Sequence, residues 1–312
     1  VAVRFSTMTV NAGGRVILVA NRKGGVGKSS TVAAVGEMIA TGGRGQGRRV
    51  CIIDGDPQGT VSSVDLGIED GDEGASLAQA VQFGAPLRPV TDPRRPNLDV
   101  VCGGRTLAMV SGAMYSAAQS GVDMVANFEN SLTDLCERNQ YDIVLIDTAP
   151  GEMPLLDIFL AASNYLIIPT REDEGSMKGL ELLAEQFWSA RRSGATIQLL
   201  GVVLFMADQR AAKRTSATFA QISEMLAGSG VEPFSTPIRV AGGVAKDLRD
   251  HNVTIGELVA LSKIARKDRL AKLRSNQRPE RDFWGSDPDG LAIDYQQLVY
   301  AIIKRLAAYE ES

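Results

Sequence analysis

At 312 residues, 44% of them hydrophobic and 22% charged, the chain is long enough for one large α/β domain or two small ones and too apolar for disorder. No apolar run approaches the ~20 residues of a membrane-spanning helix, and a net charge of −4 leaves attraction to nucleic acid or anionic lipid to local basic patches. Cys51, Cys102 and Cys136 form no CxxC pair and His251 stands alone, which argues for reduced structural thiols and against zinc or iron–sulfur chemistry.

In chain order, residues 1–14 lack the basic and apolar regions of a secretion signal and are expected to form an N-terminal tail of a cytoplasmic protein. Nearly continuous β-branched and apolar runs then predict strands at 16–20, 50–53, 98–102, 143–146, 165–169 and 199–205, buried on both faces. Between them, helical periodicity marks 29–39, 122–138, 178–192 and 211–226. Residues 84–97, with Pro86, Pro89, Pro93 and Pro96, are expected to be a surface connection, because proline cannot donate to a ladder. From 263 to 290 the chain turns basic and polar, an expected excursion before a closing helix over 291–309. The alternation predicts the α/β class: a mainly parallel twisted sheet flanked by helices on both faces, in one domain spanning 1–312.

Directly after the first strand stands Lys23-Gly24-Gly25-Val26-Gly27-Lys28-Ser29-Ser30, running into a helix. That strand–turn–helix context is the one a phosphate-binding loop requires. Its glycines let backbone N–H groups converge on a β-phosphate, Lys28 would neutralise the β- and γ-phosphates, and Ser29 would offer its hydroxyl to Mg²⁺. Farther on, Asp54 and Asp56 lie two apart at the carboxyl end of a strand and share a face, and Asp147 ends another apolar strand, a place suited to holding Mg²⁺ through water.

The usual G-x4-G-K-S/T spacing would put glycine at position 22, where the chain has Arg22 followed by Lys23. In this the loop resembles the ParA/MinD superfamily of deviant-Walker ATPases, whose signature K-G-G-x-G-K-S/T-S/T is matched from Lys23 to Ser30. The resemblance spans about residues 15–259 and the last helix. It implies ATP and Mg²⁺ as cofactors, with Lys23 reaching the partner's ATP across a homodimer. Asp54-Gly55-Asp56-Pro57-Gln58-Gly59 is similar to the family's DxDPQG motif and implies that Asp56 orients the attacking water. The implied catalytic set is therefore Asp56, Lys23 and Lys28, and the metal set Ser29, Asp56 and Asp147. Family base contacts map to Met206 and Pro237, and family DNA contacts to Arg210, Lys213, Arg214, Arg239, Lys246 and Arg249. Where the family often reads DxPP, this chain has Asp147-Thr148-Ala149-Pro150, and the family's arginine-rich stretch reads Arg239-Val240-Ala241-Gly242-Gly243.

Within that superfamily, electron carriers need ligating cysteines that Cys102 and Cys136, alone in their segments, do not supply. The proline and glutamine of the DGDPQG stretch favour a partition ATPase, of plasmid or chromosome, over two alternatives: a MinD-type membrane-associated positioner and a small-molecule ligase or amidase. That branch implies slow hydrolysis stimulated by a ParB-like centromere-binding partner, an ATP-bound dimer on non-specific DNA, and a nucleoid-associated location. The apolar spacing of the last helix favours docking on the core over membrane binding. With about fifteen residues before the first strand, no operator-binding helix-turn-helix domain is expected there.

Overall fold

Period-2 alternation on strands covered from both sides gives two separate cores, and this is what the computed structural model, describing residues 15–42, 47–68, 71–151, 153–275, 283 and 287–311, contains. The strands are β1 (Arg15–Val19), β2 (Val50–Gly55), β3 (Val90–Thr91), β4 (Leu98–Val101), β5 (Ile143–Thr148), β6 (Tyr165–Thr170), β7 (Gln198–Ala207) and β8 (Ile238–Arg239). They form one sheet in the order β3-β4-β2-β5-β1-β6-β7-β8, parallel except for β3 against β4. Val16, Leu18, Cys51, Ile53, Val144 and Ile146 face one core, while Ile17, Val19, Val50, Ile52, Ile143 and Leu145 face the other.

The first core is covered by α2 (Ala75–Phe83), α3 (Ala108–Gln119), α4 (Met124–Asn139), α5 (Met153–Ala162), α6 (Glu174–Arg192) and α7 (Ala212–Met225). On the second lie α1 (Lys28–Thr41), α8 (Gly242–His251), α9 (Ile255–Arg274) and α10 (Pro288–Glu310). Because β1 sits between β5 and β6 while β2 lies beyond β5, successive connections leave in opposite directions and open a crevice at the strands' carboxyl ends. That crevice receives the loop after β1.

Buried Arg95, 5% exposed, ties three connections together. It donates to Asp92 and bidentately to Glu257 at 2.8–2.9 Å, and to the carbonyls of Leu66 and Asn252. Glu257 is also the N3 residue of a capping box with Thr254 at the start of α9. Replacing Glu257 by alanine takes one of the two carboxylates from a desolvated guanidinium, leaving Asp92, and removes half the cap, so the urea midpoint should fall by the equivalent of about 2 kcal/mol.

Two expectations are corrected. The connection 84–97 is not wholly irregular, since β3 forms within it and pairs with β4 along the sheet edge, a position where few ladder bonds are required. The basic stretch does not leave the fold at residue 263: α9 continues helical to Arg274, because nothing from Lys263 to Arg274 breaks a helix, and α10 begins at Pro288, a good N1 residue, with Asp287 as its cap. Most of the intervening segment and the tail 1–14 lie outside the described residues. The last helix docks as its spacing implied, burying Leu298, Ile302 and Leu306, while Glu310 pairs with Arg15 of β1. Among the described residues, no helix is long and apolar enough to cross a membrane, and the three cysteines are buried and form no disulfide. His251 sits in the last turn of α8 with its ring edge-on to Phe283, 5.2 Å between centroids.

Candidate nucleotide-binding site

The loop between β1 and α1 turns on two glycines in the left-handed region, Gly25 at φ 72° and Gly27 at φ 90°. Gly27 has a second constraint, because a Cβ there would lie 2.5 Å from the Phe205 ring of β7. Gly27 is also the N-cap of α1 with no side-chain cap, so the first-turn N–H groups point into the crevice with the positive end of the helix dipole behind them. Lys28 is buried and donates to the Lys23 carbonyl at 3.2 Å, curling back over the loop. Burial holds its pKa below the usual lysine value, against the pull of Asp147 and Asp56.

The carboxylates converge by register. Asp54 of β2 pairs with Asp147 of β5, and Asp147 with Val19 of β1, so both acids stand at the mouth of the loop. Ser29 donates its hydroxyl to Asp147 Oδ2 at 2.7 Å, uniting two of the three residues expected to meet the metal. The other oxygen of Asp147 is buried without a hydrogen-bond partner. Burial first, and then the neighbouring Asp54 charge, push the Asp147 pKa up, and burial pushes Asp54 up to about 6. A site with three carboxylates around one ammonium is short of positive charge, and a divalent cation at Ser29 and Asp147 would offset it. Among the described residues no group of three His, Cys, Asp or Glu side chains could hold a metal alone. Mg²⁺ takes one or two protein ligands with phosphate oxygens and water, a number Ser29 and Asp147 would supply.

Asp54 and Asp56 have different surroundings. Asp54 accepts from the backbone and hydroxyl of Ser62, both at 2.8 Å, and from the Asp56 N–H, so it fastens the π-helical turn Thr60–Asp65 beneath the site. Asp56 accepts from the Gln58 N–H at 2.8 Å, and its charge acts on Lys28.

Sequence reasoning missed the residues that hold this assembly in place. Buried Asn21 donates to the Pro169 carbonyl at 2.7 Å and accepts from the Lys23 N–H at 2.9 Å, pinning the loop's entry to β6. Gly179 of α6 lets that helix close on the loop, since a Cβ would meet the Asn21 amide oxygen at 2.6 Å. Gly103 passes under the acidic strand end, where a Cβ would lie 2.6 Å from the Asp54 carbonyl. Asn21 and Gly103 stand beside predicted strand ends, the one signal they carry in sequence, whereas Gly179 lies within a predicted helix and carries none.

Met206, at φ 57°, lines a cavity of about 750 Å³ with Arg171–Asp173, Asp208, Arg210 and Arg214, outside the ends of β6 and β7. Pro237 is half-buried just before β8 and is not part of that lining. Of the six residues expected at DNA, five stand on the segments after β7 and β8 and Arg239 ends β8 itself, and not all are available. Arg239 is bidentate to Asp294 at 2.6 and 2.8 Å and reaches Asp287 at 3.0 Å, which clamps β8 onto α10 and takes it out of the exposed patch. Arg214 pairs with Glu172 and Lys246 with Asp250, both at the surface, while Arg210, Lys213 and Arg249 are exposed.

Comparison with known proteins agrees with this geometry. The family described as AAA domain matches residues 14–198. Over 198 residues the chain is 29% identical to the chromosome partitioning protein ParA of Caulobacter vibrioides, covering 63% of this chain and 71% of that one. A complex of McdA from Cyanothece with ATP superposes with a TM-score of 0.68 at 18% identity, over 94% of this chain and 97% of the other. A ParA from pNOB8 bound to nonspecific DNA gives 0.59 at 18% identity, over 94% and 98%. With its phosphate loop, paired acidic strand ends and parallel sheet, the chain belongs to the AAA-domain family as a ParA-type P-loop ATPase of the ParA/MinD superfamily.

Proposed function

We propose that the chain is a DNA-partition or cargo-segregation ATPase whose ATP-bound sandwich dimer binds DNA without sequence preference and is reset when a centromere-binding partner of the ParB kind stimulates hydrolysis. The observation that carries this reading is the split between the two loop lysines. Lys28 is buried over its own loop, whereas Lys23 is exposed, with its ammonium so close over Gly175 at the head of α6 that a Cβ there would lie 3.1 Å from it. An exposed lysine on a loop pinned by Asn21 is placed to serve a facing molecule.

Bound ATP and Mg²⁺ supply the phosphoanhydride to be cleaved and the charge that counters its oxygens. The protein's own part is positional. The loop N–H groups and Lys28 hold the phosphates, Ser29 and Asp147 hold the cation, and Asp56 accepts a hydrogen bond from the attacking water and aims it. Lys23 offsets the repulsion of two nucleotides facing each other across the dimer. Met206 in its cavity is the candidate packing surface for the base, and Pro237, outside that lining, is the second candidate.

For DNA, the exposed group is Arg210, Lys213, Arg214, Lys246 and Arg249. Surface ion pairs such as Arg214–Glu172 are weak enough to exchange for phosphate contacts. ATP with Mg²⁺ is expected to raise affinity for unrelated duplexes at least tenfold, and Arg210→Glu with Lys213→Glu to lower it equally on every sequence. A salt titration on duplexes and on anionic liposomes checks this. Binding to liposomes alone would favour a membrane positioner instead. Lys23→Ala should bind nucleotide normally yet remain monomeric by light scattering.

A further inference from the structure

The second half of α9 makes no core contact. Ser262 is the last buried residue of this 20-residue helix, and every residue from Arg266 to Ser275 is exposed. At 1.5 Å per residue the exposed part projects by about 13 Å. It carries Lys263, Arg266, Lys267, Arg269, Lys272 and Arg274 against Asp268 alone. Asp289 at the start of α10 lies 3.8 Å from Lys263 and 3.5 Å from Arg266, and among the described residues the other four cations have no ion-pair partner.

We infer that this arm is a duplex nucleic-acid contact that operates whether or not nucleotide is bound. The distribution of side chains selects the partner. At 100° per residue the six cations occupy about 220° of the helix circumference. The remaining sector holds Leu261, Ile264 and Ala271, with Asp268 between them. Leu270 and Leu273 lie among the cations, each more than half exposed. A bilayer surface needs one apolar face that can be immersed alone, and here immersing Leu270 and Leu273 would also immerse Lys263, Arg269 and Arg274. A helix charged over more than half its girth instead fits a groove walled by phosphates on two sides, and the major groove of a duplex is wide enough to admit one. No hydrogen bond or ion pair among the described residues links the six cations to the phosphate loop, so their charge is present in every nucleotide state. This contact does not depend on the proposed ATP-gated cycle and adds to it.

The test uses the full chain on unrelated duplexes, without nucleotide, across a range of salt. The parent should bind weakly with a steep salt dependence. The quadruple variant Lys267→Gln, Arg269→Gln, Lys272→Gln, Arg274→Gln should lose about three units of the slope of log K against log salt and bind more than tenfold more weakly at low salt. Its melting temperature should be unchanged, since all four side chains lie beyond the last core contact. The parent is then measured again with ATP and Mg²⁺ added. That control keeps the two ideas separable: basal binding that ATP never strengthens would contradict the gated cycle and leave the arm standing. Duplex binding by the quadruple variant equal to the parent's would overturn the arm's role. So would a parent that binds vesicles of phosphatidylglycerol and phosphatidylcholine but no duplex without nucleotide.

Discussion

Replacing Lys28 by alanine abolishes ATP binding, an expected loss of at least 100-fold in affinity, about 3 kcal/mol. The ammonium is buried among carboxylates, its pKa is held down by burial, and it lies over the loop whose N–H groups face the crevice. Without it, the nucleotide's negative charge would enter a site already holding Asp54, Asp56 and Asp147. Lys23 does not take its place, because its exposed ammonium lies at the head of α6, close over Gly175 and near the Asp173 carboxylate. Arginine at position 28 should rescue poorly, since a planar fork does not fit where a compact ammonium curls onto the Lys23 carbonyl. Isothermal titration with ATP and Mg²⁺ reads the effect directly, and Lys28→Ala binding within a few-fold of the parent would rule out the assigned role.

Asp56→Ala should leave nucleotide binding within a few-fold of the parent and lower the hydrolysis rate by roughly 10²–10³, the range expected when a positioned proton acceptor is lost. The contrast with Asp54 makes the assignment specific. Both oxygens of Asp54 are occupied by Ser62 and the Asp56 N–H, so Asp54→Asn should loosen the turn after β2 and lower stability as well as rate. Single-turnover hydrolysis beside thermal melts separates the two variants. A slow, fully stable Asp54→Asn with an active Asp56→Ala would exchange their roles.

The phosphate loop and both acidic strand ends are legible in the sequence because each is encoded within a few consecutive residues and a strand delivers its last side chain to a known edge. The six main strands are legible for the same reason: burial on both faces leaves an unbroken apolar run. What escapes depends on approach between distant segments. Asn21 matters because Pro169 offers it a carbonyl, Gly179 because α6 crosses the loop, and Gly27 partly because Phe205 covers it. None of these approaches has a local pattern. Arg239 reads in sequence as an available cation because its partners, Asp287 and Asp294, are about fifty residues away. The basic run after Lys263 reads as a departure from the fold because charge signals solvent, whereas an exposed helical arm satisfies the same composition.

The central claim, that nucleotide joins two copies of this chain through Lys23, is tested most directly by the mass of Asp56→Ala in ATP and Mg²⁺, measured by light scattering with and without the added change Lys23→Ala. The account predicts a dimer for Asp56→Ala and a monomer for the double variant, both saturated with ATP. A double variant that dimerises as fully as Asp56→Ala would contradict it.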